Sequence, residues 1–493
     1  MFMELFLFIA VPLLVAGLLP LVGKASRQVL PDVLANCVLG LLLVLSTTMT
    51  GSLPPGRTAI HSLSWFGQPV NITLAVDGLT ILMLFVVSLV SFFIGLYSIS
   101  YMKRFGAKPY YYALILLMVA GMNGILLSAD LFLLYIFMEI AALASYGIVA
   151  FDRGRLELEG AIKYLLLSAI GSGLVLFGIV FVFATTGGVG FETFASYGRN
   201  HPAAFLCLIP FIAGFGLKAA LVPFHTWMPD AYSAAPATLP AISSGLLIKV
   251  AGVYALVRVC FTVFGMNATV SHILMYFGIL SIIFGAFLAL GQKNMKRMLA
   301  YSSISQVGYI AVGIGLGTPL GIAGGLFHLL NHSLFKPLLF MNAGAVEEAT
   351  GTGDMEKMGG LGKKMPLTSA ANIIGLLSTA GVPPLNGFWS KLLIVFALVQ
   401  AKLYLYASIA IIVSVVTLWY FLLIQRRVFF GPEKEQLQAV REAPGWSCFS
   451  MVLLALLCII TGIFFPFFVK EWINPAAEAL FSGIPTPGGW LPF

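Results

Sequence analysis

The sequence predicts an all-α polytopic membrane protein with about fourteen transmembrane helices. Three observations carry this. Of the 493 residues, 60% are hydrophobic and only 9% charged, where a soluble domain is about 25% charged. Mean hydropathy is +1.00, and apolar stretches of roughly 18 or more residues recur along almost the whole chain. The positive charges between these stretches also fall strongly to one side when the spans are threaded in order.

Spans are expected at about 4–23, 30–50, 74–101, 110–128, 130–151, 158–184, 203–222, 236–263, 270–291, 298–316, 320–345, 366–400, 404–428 and 447–469. The first is not a cleavable signal: Glu4 precedes its apolar run, and Lys24 and Arg27 follow it. Asp77 and Asp130 stand at helix starts, where a carboxylate suits the helix dipole and serves a structural purpose. Glu139 falls near the middle of the fifth span. Lys163, with Glu157 and Glu159, forms an interfacial cluster at the start of the sixth. The seventh carries Lys218 five residues before a break at Pro223, and the twelfth carries Lys391 seven residues after a break at Pro383-Pro384. Proline removes a backbone donor and frees a carbonyl, which a membrane tolerates only beside protein or water. The two broken spans lie five apart, so they cross in opposite directions, and such pairs point to a transport site in inverted halves. Lys249 lies about thirteen residues into the eighth span, too deep to snorkel easily, whereas Arg258 near its outer end is expected to snorkel. The longest polar connections, about 51–73, 185–202, 346–365 and 429–446, are too short for a folded domain, so residues 1–493 form a single membrane domain.

Threading places Lys24, Arg27, Lys103, Arg104, Lys108, Arg153, Arg155, Lys293, Lys296, Arg297, Lys357, Lys363, Lys364, Arg426, Arg427, Lys434 and Arg441 on one side. Arg57, Arg199, Lys402 and Lys470 fall on the other. This bias puts both termini outside and accounts for the net charge of +8 without invoking nucleic acid. The five cysteines are scattered with no CxxC, and no GxGxxG or P-loop is present. The residues therefore suggest no metal site, no cofactor and no catalytic centre in this chain. Energy for transport would come from a gradient or from partner subunits.

A charge at the bilayer centre costs roughly 2.5–3.5 kcal/mol on insertion scales, yet Lys218, Lys249, Lys336, Lys391 and Glu139 all fall inside apolar spans. His328, His332 and Lys336 are spaced i, i+4, i+8, so they stack along one helix face over about 12 Å. Histidine exchanges protons near neutral pH, and a desolvated lysine can do so too. The alternative for each histidine is a hydrogen bond that glues neighbouring helices. Two histidines at i, i+4 could bind zinc, but no HExxH or third ligand accompanies them. Glu139 must be protonated or paired, with Lys218 its natural partner, either as a static ion pair or as a switch. His225 and Asp230, in PFHTWMPDAY, either feed this path or cap and turn the chain. Nitrogen-bearing groups suit protons better than sodium, a hard cation that needs oxygen ligands.

The segments FMEIAALASYGIVAF, LKAALVPFHTWMPDAYSAAPATLPAISSGLLIKVAGVYALVRV, YSSISQVGYIAVGIG, HLLNHSLFKPLLFMNAG and VPPLNGFWSKLLI closely resemble the antiporter-like subunits of the complex I superfamily. The resemblance covers roughly residues 74–430 and is closest to the Mrp D-type and membrane-bound hydrogenase group. It implies helices 1–3 at about 4–101, a first five-helix repeat at about 110–263, an inverted second repeat at about 270–428 and a final helix at about 447–469. It further implies that Glu139 and Lys218 form the Glu–Lys pair and that Lys249 bridges the halves. His328, His332 and Lys336 would form the central link, and Lys391 the terminal station. Lys391 stands where another subunit type has a glutamate, and the chain stops soon after the fourteenth span, unlike the type with a long lateral helix. The implied role is a proton-translocating subunit of a multi-subunit ion pump in a prokaryotic cell (inner) membrane. Its partners would be other subunits of an Mrp-type antiporter, membrane-bound hydrogenase or complex I-like assembly, with sodium left open as a second cargo. A stand-alone cation/proton or solute transporter is the alternative, and a non-transporting scaffold fits the polar residues poorly.

Overall fold

The computed structural model describes residues 2–481 except 25, 27, 52, 55, 65–70 and 199–203. Arg27 and Arg199 of the loop-charge pattern lie outside the described residues. Among those described, ten helices are long and apolar enough to cross a membrane. They are α1 Phe2–Val22 and α2 Val29–Thr48, then α3 Gly78–Tyr101, α4 Lys108–Leu127, α5 Leu131–Val149 and α6 Arg155–Thr186. After the short α7 Phe191–Gly198 and the broken pair α8 Ala204–Lys218 and α9 Trp227–Ala234 come α10 Thr238–Val263 and α11 Ala268–Leu290. The helices α12 Met295–Gly315 and α13 Pro319–Thr350 carry many of the buried polar groups. A second broken pair, α14 Pro366–Ala380 and α15 Asn386–Gln400, precedes α16 Tyr404–Phe430 and α17 Gly445–Ile463.

Local chemistry sets the ends of these helices. Asp77, Asp130, Asn267, Asn294 and Thr318 each accept a backbone N–H from the first turn of the helix they precede, satisfying donors a helix start leaves orphaned. Glycine closes α6, α13 and α14 at φ +72°, +73° and +85°, where a side chain would be strained. The helices are arranged about a central group. The apolar window of α10 is 94% buried and that of α3 83%, against 39% for α6, whose Ile162, Ile170 and Phe177 face outwards. Gly278 of α11 and Gly308 of α12 meet backbone to backbone, the close approach that small residues permit in a bilayer.

Two local features go beyond the sequence expectation, and one expected feature is present. Residues 74–76, expected to open the third span, belong instead to an antiparallel hairpin of β1 Ala59–Ser64 and β2 Asn71–Val76, and α3 begins after Asp77. The β-branched Thr73 and Val76 suit a strand, and Asp77 caps the helix that follows. Beyond α17 the chain stays helical through Phe465–Phe468 and Val469–Ile473 to α18 Asn474–Phe481, which packs against α3. Both expected helix breaks are present and enclose the cis bonds Val222-Pro223 and Pro383-Pro384.

Ion pairs gather the basic loops on one face. Lys108 meets Asp32 at 2.6 Å, Lys296 meets Glu347 at 2.8 Å and Lys293 meets Glu356 at 3.1 Å. The hairpin, the start of α5 and the end of α10 lie on the opposite face, where Leu74 pairs with Ser128 and Asp130 with Gly190.

Candidate functional site

The site begins at the first broken helix. α8 ends at Lys218, and the carbonyl of Leu217 is taken up by Trp227 Nε1 at 3.0 Å. Lys218 Nζ lies 3.8 Å from Glu139 Oε1 and donates to Ser168 Oγ at 2.7 Å. Ser172, one turn further along α6, donates to Glu139 Oε1 and is bonded to Ser168 O at 3.1 Å. The Glu–Lys pair is thus joined through two serines of α6 as well as by charge. Its carboxylate is less enclosed than a mid-span position implies: the Glu139 side chain is 29% exposed, against 6% for Lys218. α5 lies at the flank of the bundle, where Ile136 and Leu143 are also exposed.

From Lys218 towards α10 runs a cavity of about 10 Å³, lined by Ser168, Lys218, Leu247 and Ile248 among others, near the least volume that holds one water. Lys249 is fully buried, in a stretch of α10 wound with wide, π-type turns, and its Nζ donates to Ser244 O. Wide turns of this kind occur often at functional sites. The Ser244 hydroxyl meets Ser303 Oγ of α12 at 2.9 Å, a polar contact between α10 and α12. Next to Ser303, Ser302 Oγ accepts from Lys336 Nζ at 2.7 Å, and Leu299 O accepts from the same amine at 3.2 Å.

On α13, Lys336, His332 and His328 are all buried, with the two imidazole centroids 6.5 Å apart. His328 lies between Ser390 Oγ at 2.9 Å and Gln306 Oε1 at 3.2 Å. Among the described residues, neither ring nitrogen of His332 meets a partner at full hydrogen-bond geometry. Lys391 closes the series. Its Nζ donates to Thr379 O at 2.8 Å, Ala380 O at 3.2 Å and Ser414 Oγ at 3.1 Å, and lies 4.8 Å above the Tyr309 ring.

The two breaks place their lysines differently in sequence but alike in field. Lys218 stands in the last turn of α8, and Lys391 reaches back from α15 to the last carbonyls of α14. Each ammonium therefore sits at the carbonyl end of a half-helix, where the dipole favours a cation.

His225 and Asp230 do not join this chain by direct contact. Asp230 is held by Arg297 at 2.5 Å and Lys163 at 3.1 Å, on the face of the basic loops. Lys163 also meets Glu159 at 2.8 Å, consistent with an interfacial cluster. His225 is half-buried, with Nδ1 unpartnered. Arg258 does not snorkel. Asp77, the cap of α3, lies across from it and accepts from Nη1 and Nη2 at 2.6 and 2.5 Å, so the pair is buried together.

The sequence reading misses the uncharged members: Ser168, Ser172, Ser244, Ser302, Ser303, Gln306, Tyr309, Ser390 and Ser414. A signal exists in α12, where Ser302, Gln306 and Tyr309 are spaced i, i+4, i+7 and share one face. A serine alone in an apolar helix carries no such signal.

The family described as "NADH:quinone oxidoreductase/Mrp antiporter, TM" matches residues 128–417, and that of the complex I chain 5 N-terminus matches residues 65–112. NADH-quinone oxidoreductase subunit N of Desulforudis audaxviator is 33% identical over 89% of each chain. The D-type subunit of the Na(+)/H(+) antiporter of Alkalihalophilus pseudofirmus is 31% identical over 92% of each. Among solved structures, a chain of the Mrp complex from Dietzia sp. superposes with TM-score 0.90 at 26% identity, covering 98% of both chains. A chain of the archaeal membrane-bound sulfane sulfur reductase gives TM-score 0.88 at 30% identity, covering 97% of this chain and 98% of the other. This chain belongs to the NADH:quinone oxidoreductase/Mrp antiporter membrane family.

Proposed function

We propose that this chain is a proton-translocating, antiporter-like subunit of a multi-subunit ion-pumping complex. The observation that carries the reading is the series of exchangeable groups from the part-exposed Glu139 through buried Lys218, Lys249, Lys336, His332 and His328 to Lys391. Hydroxyls lie along it: Ser168 accepts from Lys218, Ser244 meets Ser303, and Ser302 accepts from Lys336. Protons would pass between Lys218, Lys249, Lys336, His332, His328 and Lys391. Glu139 would act as the switch: its charge holds a proton on Lys218, and its neutralisation releases that proton towards Lys249. His225 and Asp230 are proposed as intake groups on the basic-loop face. Asp230 can deliver protons only when its two cationic partners let go.

The proposal includes fourteen crossings, formed by the ten apolar helices, by α12 and α13, and by the two broken pairs, each pair counting as one. It also includes two inverted repeats over about 110–263 and 270–428 and a prokaryotic cell membrane with both termini outside. Partners would be membrane subunits of an Mrp-type, hydrogenase or complex I-like assembly. The similar chains named for their assemblies support a subunit over a stand-alone transporter. Proton transport in inverted vesicles, at matched levels of inserted protein, tests the switch. Glu139→Gln and Lys218→Ala should each abolish transport, and Glu139→Asp should keep part of it. Full transport in Glu139→Gln would remove the switch.

A further inference from the structure

The two halves hold their buried lysines differently. Lys218, in the first, has the Glu139 carboxylate at 3.8 Å. Among the described residues, no carboxylate pairs with Lys336 or Lys391 of the second, and each amine lies over an aromatic ring. Lys336 Nζ is 5.6 Å from the centre of the Phe421 ring, and Lys391 Nζ is 4.8 Å from that of Tyr309. Both rings are fully buried. The negative face of an aromatic ring attracts an ammonium, most strongly where water is excluded, and offers a neutral amine no such attraction.

The Tyr309 ring is anchored by its hydroxyl. Oη donates to Ala410 O of α16 at 2.6 Å. Ser414, one turn further along α16, lies against the same hydroxyl. Ser414 also accepts from Lys391 at 3.1 Å and donates to Ala380 O of α14 at 2.7 Å. Ring and amine are therefore held in register by α12, α14 and α16. His328 packs on this ring as well, with centroids 5.7 Å apart, and its Nδ1 lies 2.9 Å from Oγ of Ser390, the residue before Lys391. Tyr309 thus adjoins the last two members of the series, while the cavity between α15 and α16 is lined by Lys391 and not by the ring.

We propose that Tyr309 is the positioning residue of Lys391, its ring taking the place of a counter-ion and keeping the loaded amine inside the bundle. This rests on the relay reading of Lys391. The ring holds the ammonium and not the neutral amine, so it strengthens the grip of Lys391 on its proton. The surrounding helices offer no rival. On α13, His328 and Lys336 are within electrostatic reach, and both repel an ammonium when charged. Tyr420 of α16 lies near Tyr309, α14 carries no titratable side chain, and α17 has only Cys448 and Cys458. Weakening the attraction of the ring therefore lets Lys391 lose its proton at lower pH. Transport that needs a loaded Lys391 then fails earlier as pH rises.

A series at position 309 of the full chain, in its native membrane assembly, tests this. Tyr309→Phe is the reference, and the same phenylalanine with increasing numbers of ring fluorines is introduced by nonsense suppression. Fluorine draws negative charge from the ring face and keeps the shape of the ring, so the packing of the helices is preserved. Proton transport in inverted vesicles is followed against pH. Its alkaline midpoint is expected to move to lower pH as fluorines are added, by about one unit across the series, a tenfold loss in proton affinity. A midpoint that stays with the Tyr309→Phe reference, or a rate that falls equally at every pH, overturns the role of the ring. Lys391→Ala in the same assay separates this from the relay. Blocked transport in Lys391→Ala beside an unmoved midpoint overturns the ring alone. Normal transport in Lys391→Ala overturns the relay role of Lys391 and that of the ring with it.

Discussion

Lys391 illustrates how one buried amine can be made both stable and exchangeable. Three oxygens hold its Nζ, and two are carbonyls of Thr379 and Ala380 at the end of α14. The break after Ala380 leaves such carbonyls without helical donors, so the site supplies acceptors for an ammonium without a permanent counter-ion. Driving a proton against 100 mV requires roughly 2.3 kcal/mol, comparable to loosening one or two hydrogen bonds to a charged group, at about 1.5–3 kcal/mol each. Lys391→Arg keeps the charge but cannot release the proton. It should therefore block transport nearly as fully as Lys391→Ala, with loss of at least about tenfold, equivalent to ~1.4 kcal/mol. Vesicle acidification at equal protein level checks this. Near-normal pumping in Lys391→Arg would take Lys391 out of the relay.

Among the elements, α12 does more than the sequence reading assigns to it. Its Ser303 receives the chain from Ser244, and its Ser302 and Gln306 hold Lys336 and His328. Ser303→Ala should slow proton transport about fivefold, matching the loss of a hydrogen bond of ~1 kcal/mol. Ser303→Thr, which keeps a hydroxyl, should be milder, and a stopped-flow pH-jump on proteoliposomes of the purified assembly separates the two. Equal rates in parent and Ser303→Ala would place the proton step between Lys249 and Lys336 elsewhere than the Ser244–Ser303 contact.

The legibility of the elements follows the same division. Proline breaks and charged residues in apolar runs announce themselves, so both interruptions and the Lys/His series are readable. Hydroxyl bridges are not, because serine is tolerated in any membrane helix by bonding back to its own backbone, as Ser98 does to Ile94 O at 2.7 Å. Arg258 misleads for another reason. Its depth alone suggests reach to the surface, while its partner Asp77 lies 181 residues away in sequence. The hairpin β1–β2 escapes notice because its strands are short: β1 and the start of β2 fall in the polar connection 51–73, and only 74–76 read as the edge of a span.

At the scale of the whole molecule, exchangeable groups reach the outer surface of the bundle in two places. Glu139 is partly exposed on one flank, and Lys391 borders a cavity of about 300 Å³ lined by α15 and α16, whose Ile411 and Val415 are exposed. Neighbouring subunits are therefore expected to complete both ends. Gentle extraction of a tagged chain should co-isolate other membrane subunits. A chain that purifies alone and transports alone in liposomes would contradict the subunit role.

Lys249 offers the sharpest test of the central claim, that one buried chain carries protons between the halves. It is fully buried and, among the described residues, its amine bonds Ser244 O within α10, so Lys249→Met removes the exchangeable amine while filling similar apolar volume. The measurement is proton transport by the intact assembly in inverted vesicles, with subunit content verified. The account predicts that transport disappears while the assembly stays whole, and undiminished transport in Lys249→Met would contradict it.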